Sequence, residues 1–250
     1  MRLAGAIALV TGASSGIGAA TADLLARAGA TLVISGRDHE RLRTVAARTG
    51  ATAIVADLAS SSGPDELVRS VLDTVGRVDL LVCNAGAGWA GPIAELPGSK
   101  AHELVALNLL APIQLARLLA PAMAGPGRSR MVFVSSIAGA TGVRHEAAYA
   151  ATKAGLNVLA ESLGYELADR GIGVSVVLPG VVQTAFFSRR GRPYERRRPA
   201  PIPPGRVAAA IVRAAEHDLR VVYVPGWLRF PAWLHGTAPR AYRALATRFG

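Results

Sequence analysis

Cysteine is nearly absent from this chain, and its scarcity excludes two kinds of stabilising site. Cys83 is the single cysteine among 250 residues, so the chain cannot form an internal disulfide. No cluster of cysteine and histidine has the spacing of metal ligands, and we expect no metal site. A fold without disulfides suits a reducing compartment, and we therefore expect a cytoplasmic location.

Long uninterrupted apolar runs are also missing. A membrane-spanning helix needs roughly 18 consecutive apolar residues. The best candidate, residues 103–123, contains Asn108, Gln114 and Arg117, so we expect no membrane span. The opening segment MRLAGAIALVTGASSG has a basic residue and a short apolar run, as a signal peptide does. Because that run passes directly into a glycine-rich turn, we expect it to belong to the fold.

Acidic residues are scarce in the last quarter of the chain. Residues 185–250 contain 13 arginines and 3 acidic residues, whereas residues 1–184 contain 15 basic and 14 acidic residues. Most of the formal net charge of +11 therefore lies beyond residue 184. The sequence has no nucleic-acid recognition motif, so we expect no nucleic-acid partner for this basic region.

Short runs rich in β-branched residues alternate with longer segments rich in alanine and leucine. Near-continuous hydrophobicity in short runs is typical of strands buried on both faces. The strand–helix alternation predicts one α/β domain over residues 1–250, with a doubly wound parallel sheet of seven strands flanked by helices. The predicted strands are residues 6–11, 31–35, 52–56, 78–83, 130–135, 173–178 and 220–224, and the predicted helices lie near 17–28, 38–48, 64–75, 100–123, 148–169 and 206–217.

The first predicted strand ends in a glycine-rich turn. Gly12, Gly16 and Gly18 are spaced G-x-x-x-G-x-G where the first helix begins. Glycines at such a junction allow a tight turn and let the backbone approach a pyrophosphate, which then lies at the positive end of the helix. The pattern predicts a dinucleotide-binding turn.

A tyrosine and a lysine lie four positions apart in a helix of small residues. Tyr149 and Lys153 share a helix face, and such a pair alone can be a weak surface interaction. Proton chemistry is the alternative, since the chain has only one other lysine, Lys100. Ser136 comes thirteen residues before Tyr149, near the end of a predicted strand. Ser135 should point to the opposite face of that strand.

These motifs, taken in order, resemble those of the short-chain dehydrogenase/reductase family. The matching segments run in unbroken order within residues 5–224, namely VTGASSGIG, CNAGAG (83–88), ALNLLAP (106–112), VSSIAG (134–139), YAATK (149–153) and PGVVQT (179–184). The resemblance implies a Rossmann-like fold, an enzyme that interconverts a carbonyl and an alcohol with NAD(P), and a homodimer or homotetramer. Its subunits would meet through the helices that contain Asn108 and Tyr149.

The resemblance also assigns roles to four catalytic residues: Asn108, Ser136, Tyr149 and Lys153. Tyr149 would be the acid/base, and Ser136 would polarise the carbonyl. Lys153 would hold the nicotinamide ribose and lower the pKa of Tyr149, because a nearby cation favours the phenolate. Asn108 would position a water in a proton relay to Lys153.

A larger set of residues is implied to bind the cofactor. Asp57 would contact the adenine or, alternatively, cap a helix, Asn84 would hold the glycine turn, and Thr184 would bind the carboxamide. The full set comprises Gly12, Ser14, Ser15, Gly16, Ile17, Gly18, Arg37, Asp57, Leu58, Asn84, Ala85, Gly86, Tyr149, Lys153, Pro179, Gly180, Val182 and Thr184.

The end of the second strand favours NADP(H) over NAD(H). Gly36 occupies the place where an acidic residue would accept a hydrogen bond from the ribose of NAD, and Arg37 follows it. A guanidinium suits bidentate binding of a phosphate. Ser14 could add a hydroxyl donor, and Asp38 is expected to cap the next helix.

Substrate and partners are left as alternatives. We expect a lipophilic ketone or aldehyde; the alternatives are a 3-oxoacyl thioester of acyl carrier protein or coenzyme A, and a non-catalytic NADP-binding regulator. Residues 185–205 would form a basic substrate lid, containing Phe186, Phe187, Tyr194, Arg189, Arg190, Arg192, Arg196, Arg197 and Arg198. This lid could be a solvated loop or bind an acidic partner. The tail 225–250, with Trp227, Phe230 and Trp233, could pack over the cleft, form a subunit interface or make a peripheral membrane contact.

Overall fold

The computed structural model describes residues 1–123, 129–195 and 199–249, with side chains described up to residue 246. Arg196, Arg197 and Arg198 of the predicted lid lie outside the described residues. The strands are β1 (Ile7–Thr11), β2 (Thr31–Gly36), β3 (Thr52–Val55), β4 (Leu80–Cys83), β5 (Ser129–Val134), β6 (Ile172–Pro179) and β7 (Val221–Val224).

One helix follows each of the first three strands, and two follow each of the last four. They are α1 (Gly16–Arg27), α2 (His39–Thr49), α3 (Gly63–Val75), α4 (Gly98–Val105), α5 (Ala111–Leu119), α6 (Ala138–Thr141), α7 (Ala147–Glu166), α8 (Phe186–Arg189), α9 (Pro204–His217), α10 (Arg229–Thr237) and α11 (Pro239–Phe249). Every predicted strand is present, with ends within two residues of the prediction.

The seven strands form one parallel sheet in the order β3-β2-β1-β4-β5-β6-β7. Leu9 in the middle of β1 pairs with Val33 on one side and Leu81 on the other. The chain first runs outward from β1 to β3 and then returns to continue from β4, so the strand order reverses between β1 and β4. The prediction of a doubly wound, Rossmann-like α/β fold is confirmed. Ligands bind at such a reversal, beyond the carboxyl ends of the strands.

Alternating residues of each strand supply two separate cores. Leu9 and Phe133 belong to the core on the face covered by α3, α5 and α7. Val10 and Val132, one residue away in β1 and β5, belong to the core on the face covered by α1, α2 and α9. Successive side chains of a strand point to opposite faces, so a strand covered on both sides must be apolar throughout.

The helix predicted over residues 100–123 is interrupted. Between α4 and α5 the backbone forms one π-helical turn, Ala106–Leu110, and a 3₁₀ turn follows at Ala120–Ala122. By length and composition the run Gly98–Ala122 could cross a membrane, but half of its apolar window is buried inside the fold. These residues contribute Leu107 and Leu115 to the core, so we describe the run as a core helix.

Most of the described lid residues, 185–195 and 199–205, lie outside helices and strands. The short helix α8 begins the lid, and Ile202 then forms a parallel bridge with Val182. The tail folds into two helices separated at Ala238, not into one continuous helix. Pro231 lies in the first turn of α10, where proline needs no hydrogen-bonded N–H. Helix α10 packs against α6.

Candidate active site

A cleft of about 890 Å³ opens where the strand order reverses. Its walls are the segments that directly follow β1, β2, β4, β5 and β6, together with the lid. The predicted cofactor residues line it with two exceptions, Gly18 and Asp57, and Asn108 of the catalytic set also lies outside the lining. Both lysines of the chain, Lys100 and Lys153, line this one cleft.

The glycine turn is held in a conformation that side chains would prevent. Gly12 and Gly16 have φ angles of +65° and +59°, a region that favours glycine. A Cβ on Gly18 would lie 2.4 Å from the carbonyl oxygen of Gly12, so Gly18 packs beneath the turn. Asn84 donates from its side-chain amide to the carbonyl oxygens of Thr11 (2.9 Å) and Gly12 (3.2 Å). The backbone N–H groups at the start of α1 thus face the cleft, an arrangement that fits a pyrophosphate.

At the far end of the cleft, Gly36 and Arg37 follow β2. A Cβ on Gly36 would lie 3.4 Å from the hydroxyl oxygen of Ser14, so this glycine lets Ser14 approach β2 closely. Arg37 is exposed, and its Nη1 lies 3.8 Å from Glu103 Oε1 and 4.0 Å from Asp57 Oδ1. Lys100 contacts the other oxygen of Glu103 at 2.7 Å. The guanidinium therefore faces the cleft with two carboxylates beside it.

Of the two helix caps considered at this end, one is present. Asp38 precedes α2, and its carboxylate accepts a hydrogen bond from the N–H of Arg41 at 3.0 Å, as expected for a helix cap. The carboxylate of Asp57 accepts from the N–H of Ala59 at 3.1 Å and does not line the cleft. Asp57 thus stabilises its own turn, and the expectation that it caps a helix is wrong because α3 begins only at Gly63. Its contact with adenine stays a prediction.

Ser136 and Tyr149 meet because α6 and α7 pack closely. Gly139 in α6 makes this packing possible, since a Cβ there would lie 2.5 Å from the carbonyl carbon of Lys153. The Ser136 hydroxyl accepts from the N–H of Ala138 at 3.1 Å, and its side chain is hydrogen-bonded to Tyr149. The hydroxyl of Ser135 points away and donates to the carbonyl oxygen of Lys153 at 3.1 Å. The two serines therefore face opposite sides, as predicted.

Burial controls the ionisation of Tyr149 and Lys153. It raises the pKa of Tyr149, and the carboxylate of Glu146 adds to the increase, while the Ser136 hydrogen bond and the cation of Arg190 oppose it. Burial also lowers the pKa of Lys153 to about 8. The expectation that Lys153 lowers the pKa of Tyr149 is wrong for this form of the protein. The Lys153 amine donates to the carbonyl oxygen of Val134 at 2.9 Å and lies 6.0 Å from the centre of the Tyr149 ring.

Asn108 lies in the π-helical turn and is fully buried. Its side-chain oxygen accepts from the N–H of Ala87 and its amide donates to the carbonyl oxygen of Ala87, both at 2.9 Å. The amide also donates to Thr152 at 3.1 Å. Across Gly86, the Asn108 oxygen and the Lys153 amine approach one another, since a Cβ on Gly86 would lie 3.2 Å and 3.6 Å from them. Asn108 thus fixes the loop that follows β4, and its role in a proton relay stays a prediction.

Comparison with known proteins agrees with this geometry. A model of the family described as short chain dehydrogenase matches residues 6–195. The chain belongs to the short-chain dehydrogenase/reductase family. It is therefore an oxidoreductase of that family, as the resemblance of its motifs indicated.

Three similar proteins illustrate the range within the family. A relative from Nostoc sp. named ketoacyl reductase HetN is 35% identical over 89% of this chain and 79% of its own length. A short-chain dehydrogenase from Sphingobium yanoikuyae, solved with NADPH, is 29% identical, with a TM-score of 0.82 over 94% of this chain and 96% of its own. One from Burkholderia phymatum, solved with NAD, is 23% identical, with a TM-score of 0.85 over 94% of both chains, and shows the fold alone.

In the present protein, the lid contributes aromatic rings to the site. Phe186 lies 5.4 Å from the ring of Tyr149, and Phe187 lies 5.5 Å from Phe186. Tyr194 follows at 5.4 Å from Phe187, so a continuous row of rings extends from Tyr149 along the cleft. Gly88 leaves room for this row, because a Cβ there would lie 2.5 Å from the Phe186 ring.

Sequence reasoning missed four residues of the site: Lys100, Glu103, Glu146 and Thr152. Lys100 was noticeable as one of two lysines, and Glu146 lies three positions before Tyr149, a spacing that places two residues on one helix face. Arg190 was expected in the lid, but its pairing with Glu146 was not. No signal in the sequence joins Glu103 to Arg37.

We predict that Gly18→Ala weakens dinucleotide binding by at least about tenfold and lowers the free energy of unfolding by about 1–3 kcal/mol. The reason is that the new methyl group would lie 2.4 Å from backbone atoms of the turn. Titration calorimetry and denaturant unfolding measure the two effects. Gly205→Ala in the first turn of α9 is the matched control, because its Cβ meets nothing within 4 Å. Wild-type affinity in Gly18→Ala would contradict the assigned turn.

Proposed function

We propose that this protein is an NADP(H)-dependent oxidoreductase that interconverts a carbonyl compound and an alcohol, with Tyr149 as the acid/base. The observation that supports this most directly is the meeting of Ser136 and Tyr149 at the cleft beside the glycine turn. A non-catalytic regulator of the same fold would not need the Tyr149–Lys153 pair. The chain also contains Asn108 and Ser136, the other two residues of the predicted catalytic set.

The chain's own residues supply the proton chemistry. When bound, a nicotinamide cofactor would supply or accept the hydride at the carbonyl carbon. Hydride transfer to a carbonyl leaves negative charge on its oxygen, which needs hydrogen bonds and a proton. The hydroxyl of Ser136 is within hydrogen-bond reach of Tyr149, so both can donate to that oxygen. Because burial raises the pKa of Tyr149, its phenol is protonated at neutral pH and ready to donate in the direction of reduction.

Lys153 and Asn108 support this chemistry from behind. Lys153 is buried and its amine is tied to the carbonyl oxygen of Val134, so its position is fixed. A pKa of about 8 leaves it mostly protonated at pH 7 and able to exchange a proton near neutrality. We infer that Lys153 binds the nicotinamide ribose and that Asn108 and Lys153, facing one another across Gly86, hold a water between Tyr149 and solvent.

The substrate we propose is a lipophilic ketone or aldehyde. The row of rings from Phe186 to Tyr194 and the side chain of Val143 form an apolar wall beside Tyr149. A second candidate is a 3-oxoacyl thioester, because the 35% identical relative is named a ketoacyl reductase. An acidic acyl carrier protein would also complement the arginines of the lid.

We propose NADP(H) rather than NAD(H) because of the residues around Gly36. The guanidinium of Arg37 and the hydroxyl of Ser14 flank the position where a 2′-phosphate would lie. The 29% identical dehydrogenase solved with NADPH is consistent with this preference. Glu103 opposes it, since its carboxylate lies 3.8 Å from Arg37, and Lys100 offsets that charge.

The activity test compares two adjacent serines and the tyrosine. We expect NADPH-dependent reduction of carbonyl compounds, tested on small ketones, long-chain aldehydes, steroids and 3-oxoacyl thioesters. Tyr149→Phe should lower kcat/KM by about 10²- to 10⁴-fold, and Ser136→Ala by about 10²- to 10³-fold. Ser135→Ala should leave kcat/KM near the wild-type value and lower the free energy of unfolding by about 1 kcal/mol, because it loses one buried hydrogen bond. Full activity in Tyr149→Phe would refute the mechanism.

The cofactor preference is tested by binding constants. Arg37→Ala should weaken NADPH binding about 10- to 100-fold, the loss of a charge-assisted hydrogen bond to phosphate, with little change for NADH. Glu103→Gln should tighten NADPH binding about two- to fivefold, because it removes a competing surface charge of the same sign as the phosphate. Fluorescence titration of both cofactors measures these changes. Tighter binding of NADH than NADPH to the wild-type protein would show that Arg37 has been misread.

We further propose a homo-oligomer in the cytoplasm that can touch a membrane surface through its tail. Val158 and Tyr165 on α7 and Leu110 in the π-helical turn are large apolar side chains left exposed on the two helices that contain Tyr149 and Asn108. In the tail, the side chains of Trp227, Phe230 and Trp233 are more than half exposed. None of the described tail residues lines the cleft, so packing over the cleft does not account for these rings.

Two variants separate these surfaces. Val158→Glu should yield a monomer by light scattering, because it buries a charge in the subunit interface, and should still bind vesicles of phosphatidylcholine and phosphatidylglycerol. Trp233→Ala should remain oligomeric and bind those vesicles less, because it loses an interfacial ring. A wild-type protein that is monomeric would refute the first proposal, and one that ignores anionic vesicles at low salt would refute the second.

A further inference from the structure

Glu146 and Arg190 form an ion pair that joins the lid to the catalytic helix. Glu146 is the residue before α7, and Arg190 is the residue after α8. Their contact is between Arg190 Nη1 and Glu146 Oε1, and the two side chains are only 9% and 13% exposed. Ion pairs on protein surfaces contribute little, whereas a buried pair must be held in place because each charge loses its water.

Arg190 has further polar partners besides Glu146. Its Nε donates to the carbonyl oxygen of Arg192 at 3.1 Å, and its own carbonyl oxygen accepts from the N–H of Ala90 at 3.2 Å. The guanidinium carbon lies 4.5 Å from the centre of the Phe187 ring, a cation–π contact. Arg190 is therefore built into the wall of the cleft, whereas the adjacent Arg189 is exposed.

The same pair lies beside the reacting phenol. Glu146 precedes Tyr149 by three residues, so both lie at the first turn of α7, and both line the cleft. Phe186, on the short helix that ends next to Arg190, stacks at 5.4 Å from the Tyr149 ring. The position of the ring that covers Tyr149 thus depends on where Arg190 is held.

We propose that the Arg190–Glu146 ion pair is a latch that closes the lid over Tyr149 and balances the charge beside its hydroxyl. The inference concerns two positioning residues and rests on the proposed acid/base role of Tyr149. An ionic latch suits a lid that must open, because both charges regain water when the lid leaves α7. An apolar contact of the same size would lose stability on opening and would not specify where the lid docks.

Removing either partner should free the lid. Either substitution removes the attraction between the two side chains while one charge stays largely buried, so the closed state of Arg190→Gln or Glu146→Gln should be less populated. The rate of digestion by chymotrypsin measures how often the lid opens. Its cleavage sites at Phe186, Phe187 and Tyr194 are partly buried in the closed lid and are unchanged in both variants. We expect cleavage after these residues about tenfold faster in either variant. Arg189→Gln, one position away and exposed, is the control and should be cleaved at the wild-type rate.

The pH dependence distinguishes a latch beside Tyr149 from a general loosening. The groups that act on the Tyr149 phenol are the Ser136 hydroxyl, the Glu146 carboxylate and the Arg190 guanidinium, and the Lys153 amine lies 6.0 Å from the ring. Glu146 raises the pKa of Tyr149 and Arg190 lowers it. In Glu146→Gln, both the loss of the carboxylate and the opening of the lid lower the pKa of Tyr149, so the alkaline limb of the rate of carbonyl reduction should shift to lower pH by about one unit. In Arg190→Gln, the loss of the cation raises that pKa while the opening of the lid lowers it, so the shift should be much smaller.

The chymotrypsin digestion and the pH dependence of the rate test separate parts of the proposal. Equal chymotrypsin rates in wild type, Arg190→Gln and Glu146→Gln would overturn the latch even if the enzyme proves active. Faster cleavage in both, together with a shift to lower pH that is larger in Glu146→Gln than in Arg190→Gln, would establish it; equal shifts in the two variants would overturn the charge balance. If Tyr149→Phe retains full activity, the proposed function fails, while the proteolysis still decides whether the lid is held. Should Arg190→Gln not fold, Glu146→Gln, which keeps the size of the side chain, gives the same proteolytic test.

Discussion

One close backbone contact determines the geometry of the site. The α-carbon of Gly18 sits against the carbonyl oxygen of Gly12, with room for no other atom. This contact sets the angle at which α1 leaves β1, and therefore the direction in which its N-terminus faces. Asn84 ties the same turn to the end of β4, across the point where the strand order reverses. The cleft exists because these two strand ends are held together while their chains diverge.

From this turn, the other groups are placed by ordinary packing. Ser136 follows β5, two strands along the sheet from β1. Gly139 lets α6 touch α7, and that contact brings Tyr149 to Ser136. Glycine is used twice for the same purpose, since a missing side chain lets one backbone segment approach another. The catalytic distances thus result from two close backbone contacts and not from long, adjustable side chains.

Sequence alone predicted the fold because the signals were local. Apolar strands, helical segments and glycine turns depend on residues near one another in the chain, and a doubly wound parallel sheet followed from the alternation of strands with helices. Ser136 was separated from Ser135 by strand alternation alone. The Arg190–Glu146 pair was not predictable, because 44 positions separate its members and many other lid arginines were equivalent candidates. The Glu103–Arg37 contact was not predictable for the same reason. The π-helical turn at Asn108 has no sequence signature that we recognised.

The expected direction of the Tyr149 pKa shift was wrong for a related reason. A sequence shows which charges are near but not how much water they lose. Tyr149 is covered by Phe186 of the lid, so desolvation outweighs any nearby cation and favours the neutral phenol. The same burial lowers the pKa of Lys153, which would otherwise stay charged. A closed lid therefore favours the protonated phenol for donation to a carbonyl oxygen, whereas an open lid would restore water to Tyr149 and bring its pKa back toward the ordinary range. Closing the lid then both covers the site and sets the pKa of Tyr149. Arg190, which anchors the lid, contributes to both effects.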